Sequence, residues 1–219
     1  MRKTVLFCLL AGFLLTAFRF AAPFEGTIRY DVQIKGDAGP LASIMPKYYE
    51  FSAKGSDVKL KSDASLVGEI LMKTLENKAY LLRRGEKTAY FFDLNSRKLS
   101  GGKSKVTRLN ATETIAGYKC QKYMVVSKDE DGETVTQTVW AAPDLSVPKP
   151  KRAAAIPNAG EFFVEGVDGF PLKMITQSSE FTMTTTASKV EKKQLPASDF
   201  VIPAGYSVKD LDFGDWFGE

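Results

Sequence analysis

The chain has 219 residues, no histidine, two cysteines, and 30 Lys+Arg against 26 Asp+Glu. The absence of histidine excludes Ser-His-Asp and Cys-His nucleophile systems, imidazole metal sites and H-E-x-x-H zinc enzymes. The cationic excess is concentrated at the N-terminus: without Arg2, Lys3 and Arg19 the balance is 27 against 26, which is not that of a nucleic-acid binder.

Arg2 and Lys3 precede an uncharged run rich in Leu and Phe from Val5 to Phe18, the layout of a secretory signal. A membrane span needs roughly 20 apolar residues, and Arg19 interrupts the run before that length. Residues 1–22 are therefore read as a signal peptide cleaved near Ala22, with an uncleaved membrane anchor as the alternative. Phe20 occupies a place where a small residue is usual, so the cleavage site is set only to within several residues. Residues 23–206 read as one antiparallel β domain and residues 207–219 as an aromatic C-terminal tail, in a protein that is periplasmic or otherwise exported. Cys8 leaves with the signal, and a lone Cys120 means that the fold rests on packing without an internal disulfide.

The first element is the clearest. Ile28, Tyr30, Val32 and Ile34 alternate with Thr27, Arg29, Asp31, Gln33 and Lys35, because successive side chains of a half-buried strand face opposite sides. Leu41 to Met45 suits a helical turn, and Val58 and Leu60 alternate with Asp57, Lys59 and Lys61. Ala64 to Leu75 fits helix or strand, with strand preferred. Strand-rich segments follow at Ala79–Leu82, Ala89–Phe92, Ile115–Val126, Thr134–Trp140, Leu172–Gln177 and Phe181–Val190. Turn residues at 76–78, 84–86 and 129–132 separate several of them. Short strands joined by turns imply an antiparallel sheet or partial barrel, since parallel strands need long crossovers. Pro148, Pro150 and Pro157, with Lys149, Lys151 and Arg152, make 146–158 a basic loop.

No phosphate loop or dinucleotide fingerprint is present. A carboxylate pair drawn from Asp93, Glu113, Glu161, Glu165 and Asp168 is the surviving catalytic option, but 26 acidic residues make such pairs common by chance. The chain is expected not to be an enzyme and to carry no cofactor or metal. The run Asp129-Glu130-Asp131-Gly132 lacks the ligand spacing of a calcium loop and suits a solvated turn. Lys149–Arg152 suits a solvated linker, with contact to an anionic lipid or partner as the sharper reading. Cys120 alternates with Tyr118 and Met124 and is expected to be a small buried hydrophobe. The segment 213–218, Phe-Gly-Asp-Trp-Phe-Gly, suits either a docking element or a tail packed back on the sheet.

Two stretches carry a resemblance. Ile115-Ala116-Gly117-Tyr118-Lys119-Cys120-Gln121-Lys122-Tyr123, followed by a strand ending in Trp140-Ala141, resembles the I-x-G-Y-x-C-x-K-Y hairpin of a family of exported bacterial envelope proteins of unassigned function. Leu195-Pro196 and Phe200-Val201-Ile202-Pro203-Ala204-Gly205-Tyr206 are similar to the ending shared by that family and the lipoprotein-carrier (LolA/LolB-like) superfamily. The resemblance implies a mainly β fold with little helix, a curved antiparallel sheet forming a half-barrel, whose concave face holds acyl chains in the carriers.

Two functions then stand. One is an envelope protein that binds or carries a lipid, a lipoprotein acyl chain or another apolar ligand on the concave face. Its candidate lining is Ile28, Tyr30, Val32, Ile34, Tyr118, Met124, Leu172, Met174, Phe181 and Met183. The other is a non-catalytic structural or protein-interaction module of the envelope with a self-filled core. These side chains serve equally as pocket wall and as core.

Overall fold

The computed structural model describes residues 23–39, 41–64, 68–94, 104–128, 134–150, 162–178 and 180–211. Its strands are β1 (Gly26–Gly36), β2 (Tyr48–Lys54), β3 (Asp57–Ser62), β4 (Glu69–Lys73), β5 (Lys78–Arg83), β6 (Thr88–Asp93), β7 (Lys105–Ile115), β8 (Tyr118–Lys128), β9 (Thr134–Ala142), β10 (Phe170–Gln177), β11 (Phe181–Lys192) and β12 (Ser207–Asp210). One α-helical turn, α1 (Leu41–Ile44), is described. The fold is mainly β, as the alternation predicts.

All twelve strands belong to one sheet in the order β12-β6-β5-β4-β3-β2-β1-β11-β10-β9-β8-β7. Two antiparallel meanders, β1 to β6 and β7 to β11, meet where β11 pairs with β1. Neighbouring strands lie about 4.8 Å apart, so on a flat sheet β7 and β11, four spacings apart, would be about 19 Å from each other. Cα atoms of these two strands instead come within 8 Å. The sheet is therefore strongly curved, and it stays unclosed between β12 and β7.

The core lies on the inner face. Cross-strand partners share a face, and Ile28 pairs with Phe51, Phe51 with Leu60, Leu60 with Ile70 and Ile70 with Leu81, all at 0–1% exposure. Glu69–Lys73 settles the ambiguous stretch as a strand with a turn after it, and residues 65–67 of that stretch lie outside the described residues. Ile70, Leu71 and Met72 are all buried, because β4 is covered on both sides. On the outer side the 3-10 turn Ala197–Phe200 packs against it: Phe200 is 1% exposed, its carbonyl accepts from Lys73 Nζ at 2.7 Å, and Lys59 Nζ lies 5.6 Å from its ring.

The stretch read as one segment, Ile115–Val126, needs correction. A tight turn at Ala116–Gly117, with φ of 47° and 85°, separates β7 from β8, and β7 itself went unread because only Val106, Leu109, Ala111 and Ile115 of its residues are apolar. The chain also continues the sheet beyond Tyr206: Ser207–Asp210 forms β12, parallel to β6, in register Ser207↔Thr88 to Asp210↔Phe91. The signal segment, the acidic run at 129–132, the basic residues 151–152 and the aromatic end at 213–218 lie outside the described residues.

Candidate functional site

Two rows of side chains cross the inner face over the second meander. The first runs Tyr123–Val139–Met174–Thr185–Val32 through direct cross-strand partners. The second, one step toward the strand tips, runs Val106–Val125–Gln137–Thr176–Met183–Ile34. Neither row contains a charged residue. The first row is buried except at half-buried Val32, whereas in the second all but Val125 are half-buried.

Eight of the ten expected lining residues belong to this face: Ile28, Tyr30, Val32, Ile34, Leu172, Met174, Phe181 and Met183. They divide into a closed and an open part. Ile28, Tyr30, Leu172 and Met174 are at most 1% exposed, while Val32, Ile34, Phe181 and Met183 are half-buried.

The other two do not join them. Met124 sits next to Tyr123, whose partner Val139 places Tyr123 inward, so Met124 projects to the outer side and is 36% exposed. Tyr118 is half-buried at the start of β8, with Lys192 Nζ 5.7 Å from its ring. The grouping of Tyr118 and Cys120 with Met124 fails because the ladder is interrupted between them. Pairing shifts register in β10 between Pro171 and Lys173, and in β7 between Arg108 and Thr112. Gln121 fills the second interruption, its amide donating to the carbonyls of Leu109 and, at 3.0 Å, Ala111. Buried positions on β8 consequently change phase, from Cys120 to Tyr123 and Val125.

Cys120 is fully buried, as expected of it. Burial pushes its thiol up to about 11, a state that keeps it protonated and unreactive.

The closed part is filled by the 162–169 segment, which lies between the expected loop at 146–158 and the expected strand from Leu172. Phe162 lies 5.0 Å from the Tyr30 ring, 5.8 Å from Tyr49 and 5.9 Å from Phe51, and Phe170 lies 4.6 Å from Phe51. Tyr30 keeps its hydroxyl satisfied at the Pro171 carbonyl, 2.7 Å away. Further along, a Cβ at Gly166 would stand 3.4 Å from Val106, so the 162–169 segment crosses the inner face from β2 to the β7 edge. It returns to the sheet at Gly169, where φ is +87° and any Cβ would lie 2.3 Å from the Ala142 carbonyl oxygen. Two adjacent phenylalanines, Phe162 and Phe163, in a loop were the available signal for this plug. Continuing the Phe181, Met183 alternation by one step would have found Thr185.

Outside this face, Trp140 is flanked by Lys122 and Lys173, whose ammonium groups lie 4.9 and 4.7 Å from its ring, and Lys173 also pairs with Glu113 at 2.9 Å. Lys149, from the expected basic run, reaches the 162–169 segment instead, donating to the Val167 carbonyl at 3.1 Å, and desolvation pushes its ammonium below the usual lysine range. A cleft of about 350 Å3 lies between Lys61, Ser62, Glu69, Leu82, Arg83 and Arg84, away from the apolar rows. Its buried Glu69 carboxylate is held by Arg84 Nε at 3.1 Å. Among the described residues no group of three His, Cys, Asp or Glu is arranged to hold a metal, and no helix is long and apolar enough to cross a membrane.

The crystal structure of the lipoprotein LppX from Mycobacterium tuberculosis aligns with 78% of this chain and 89% of its own, at 10% identity and a TM-score of 0.35. That of LprF from Mycobacterium bovis aligns with 84% and 90%, at 11% identity and a TM-score of 0.34. No curated protein matches the sequence. The match that places the chain comes from a family comparison covering β2 to the residue before β12: residues 47–206 fit DUF4412, a domain of unknown function, and the chain belongs to that family.

Proposed function

We propose that this chain is an exported, non-catalytic envelope protein that binds a lipid or other apolar chain along the open part of its inner face. The observation that carries the reading is the uncharged, half-buried row from Val106 to Ile34, continued at the strand tips by half-buried Phe181. Burying apolar surface is worth about 25 cal/mol per Å2, and apolar side chains left partly exposed along an uncharged row gain from a ligand that covers them. An acyl chain laid across the strands meets Val, Met and Ile side chains with only the neutral Gln137 and Thr176 between them. The ligand lies shallowly, since Phe162 occupies the deep end.

Protein purified from an envelope extract is expected to carry lipid in native mass spectrometry and to bind a pyrene-labelled acyl ester. Ile34→Asp and Met183→Asp should each weaken the probe by about tenfold or more, the effect of a charge on an apolar contact. The denaturation midpoint should change less than for a fully buried position, because both side chains are only partly buried. Met124→Asp, on the outer side, should leave binding unchanged. Indifference of the probe to both inner substitutions would refute the site.

The second reading, an envelope interaction module with a self-filled interior, is favoured by the aromatic plug of Phe162, Phe163 and Phe170. A protein that emerges free of lipid and ignores the probe is that module.

A further inference from the structure

Among the described residues, one buried side-chain oxygen has no hydrogen-bond partner: Oγ1 of Thr185, whose residue is 1% exposed. A hydroxyl taken out of water and left unbonded costs free energy, and native interiors rarely tolerate it without a reason. Its place is informative. Thr185 lies in the buried row between Met174 and Val32, and the next inward residue of β11 toward the strand tips is half-buried Met183. The orphaned oxygen therefore stands at the boundary between the filled and open parts of the inner face, next along the strand to Met183, the flexible, unbranched member of the open row.

We infer that the Thr185 hydroxyl is the polar anchor of the apolar site and donates its proton to a neutral carbonyl oxygen, so that the ligand class is an acyl ester or amide rather than a free fatty acid. The inference rests on the acyl-binding reading and adds the ligand's chemistry to it. The charge argument selects the class. A carboxylate set beside Thr185 would be an ion in an apolar wall, stable there only when paired. The first row offers no cation between Tyr123 and Val32, and Lys149, which reaches the segment over this face, is already engaged by the Val167 carbonyl. Arg108 is the cation that extends it, as the partner of Tyr123 in β7, where it already donates to Gln121 at 3.1 Å. Tyr123, Val139 and Met174 stand between it and Thr185. An ester or amide carbonyl asks for one donor and brings no charge, which is what a single hydroxyl supplies. Swinging Met183 aside lets the carbonyl reach Oγ1 while the acyl chain follows the open row.

The test compares methyl palmitate, palmitate and hexadecane, delivered from cyclodextrin, as competitors of the pyrene-labelled acyl ester on the full mature chain. Wild-type protein should prefer methyl palmitate to both. Thr185→Val keeps the side-chain shape and removes the hydroxyl, and should weaken methyl palmitate by about threefold to tenfold, the worth of one hydrogen bond. It should leave hexadecane unchanged and the melting temperature equal or higher, since an unbonded buried hydroxyl is removed. Thr185→Ser, which retains the hydroxyl, should restore the preference for the ester. If Thr185→Val binds the ester as wild type does, or palmitate outcompetes the ester, the anchor is refuted while the acyl site stands. If no acyl compound displaces or binds at all, both fall. A marked drop in melting temperature on Thr185→Val would show that the hydroxyl is already bonded, and would also overturn the inference.

Discussion

Phe162 decides how much of the inner face remains open, because its ring contacts Tyr30, Tyr49 and Phe51 at once and is itself fully buried. Phe162→Ala should cost about 3–5 kcal/mol through lost burial and the cavity left behind, read as a lower midpoint in urea. In whatever fraction stays folded, the same variant should bind the acyl probe more tightly, since the closed part has been unblocked. Cys120 makes a second prediction with a defined sign. Its folded thiol titrates at about 11 against an ordinary value of 9.0, so in rising pH the unfolded chain loses its proton first. Stability from this group is therefore intact below about pH 9 and falls as pH climbs to about 11, by about 3 kcal/mol in all. Urea titrations of wild type and Cys120→Ala across this range should diverge by that amount, and a thiol reagent should label native protein slowly and unfolded protein at once. Equal pH profiles would show that the thiol is not shielded.

Among the strands, the two sheet edges are managed differently. β7 protects its edge with exposed polar and charged residues and with the register shift between Arg108 and Thr112, both recognised ways of discouraging further strand pairing. β6 has no such defence, since Thr88–Asp93 reads T-A-Y-F-F-D. Its edge is covered by β12, whose four residues are all exposed and which is held by backbone bonds such as Ser207 N to Lys87 O and Leu211 N to Phe91 O, each 2.9 Å. Ending the chain at Tyr206 should therefore leave the core intact and expose an aromatic strand edge. We expect concentration-dependent self-association by light scattering, with an unchanged far-UV spectrum at low concentration. A truncated protein that stays monomeric at high concentration would show that β12 is dispensable to the edge. Strands legible in the sequence are those with a clean period of two, such as β1 and β3, and those dense in aromatic and branched residues, such as β5 and β6. β7 escaped because its few apolar residues change phase across the irregularity between Arg108 and Thr112, which leaves no sustained period of two.

For the molecule as a whole, the curvature of the sheet matters more than any single strand. It brings β7 within 8 Å of β11 and lets the short 162–169 segment lie across the inner face. That arrangement separates a filled end, which carries stability, from an open end, which the proposed function uses. Recovery of the chain from the periplasmic fraction with an N-terminus near Pro23 would support export, while intact Met1 in membranes would refute cleavage near Ala22.

What the sequence determined by itself is the part governed by local chemistry. Alternation in Ile28–Ile34 assigned β1 and its inward residues, the missing histidines removed whole classes of catalysis, and proline marked the loop after β9 as irregular. What only tertiary structure decided is the part that depends on register and on long-range contact. Whether Met124 or Tyr123 faces inward is a one-residue question, and a one-residue slip reverses every side chain of a strand. It was settled by pairing with Val139 and by irregularities at Leu109–Ala111 in the neighbouring β7 and at Leu172 in the more distant β10. The aromatic plug and the unbonded hydroxyl of Thr185 were hidden for the same reason: each is defined by what packs against it, and those neighbours come from β1, β2 and β10, which only the folded sheet brings together.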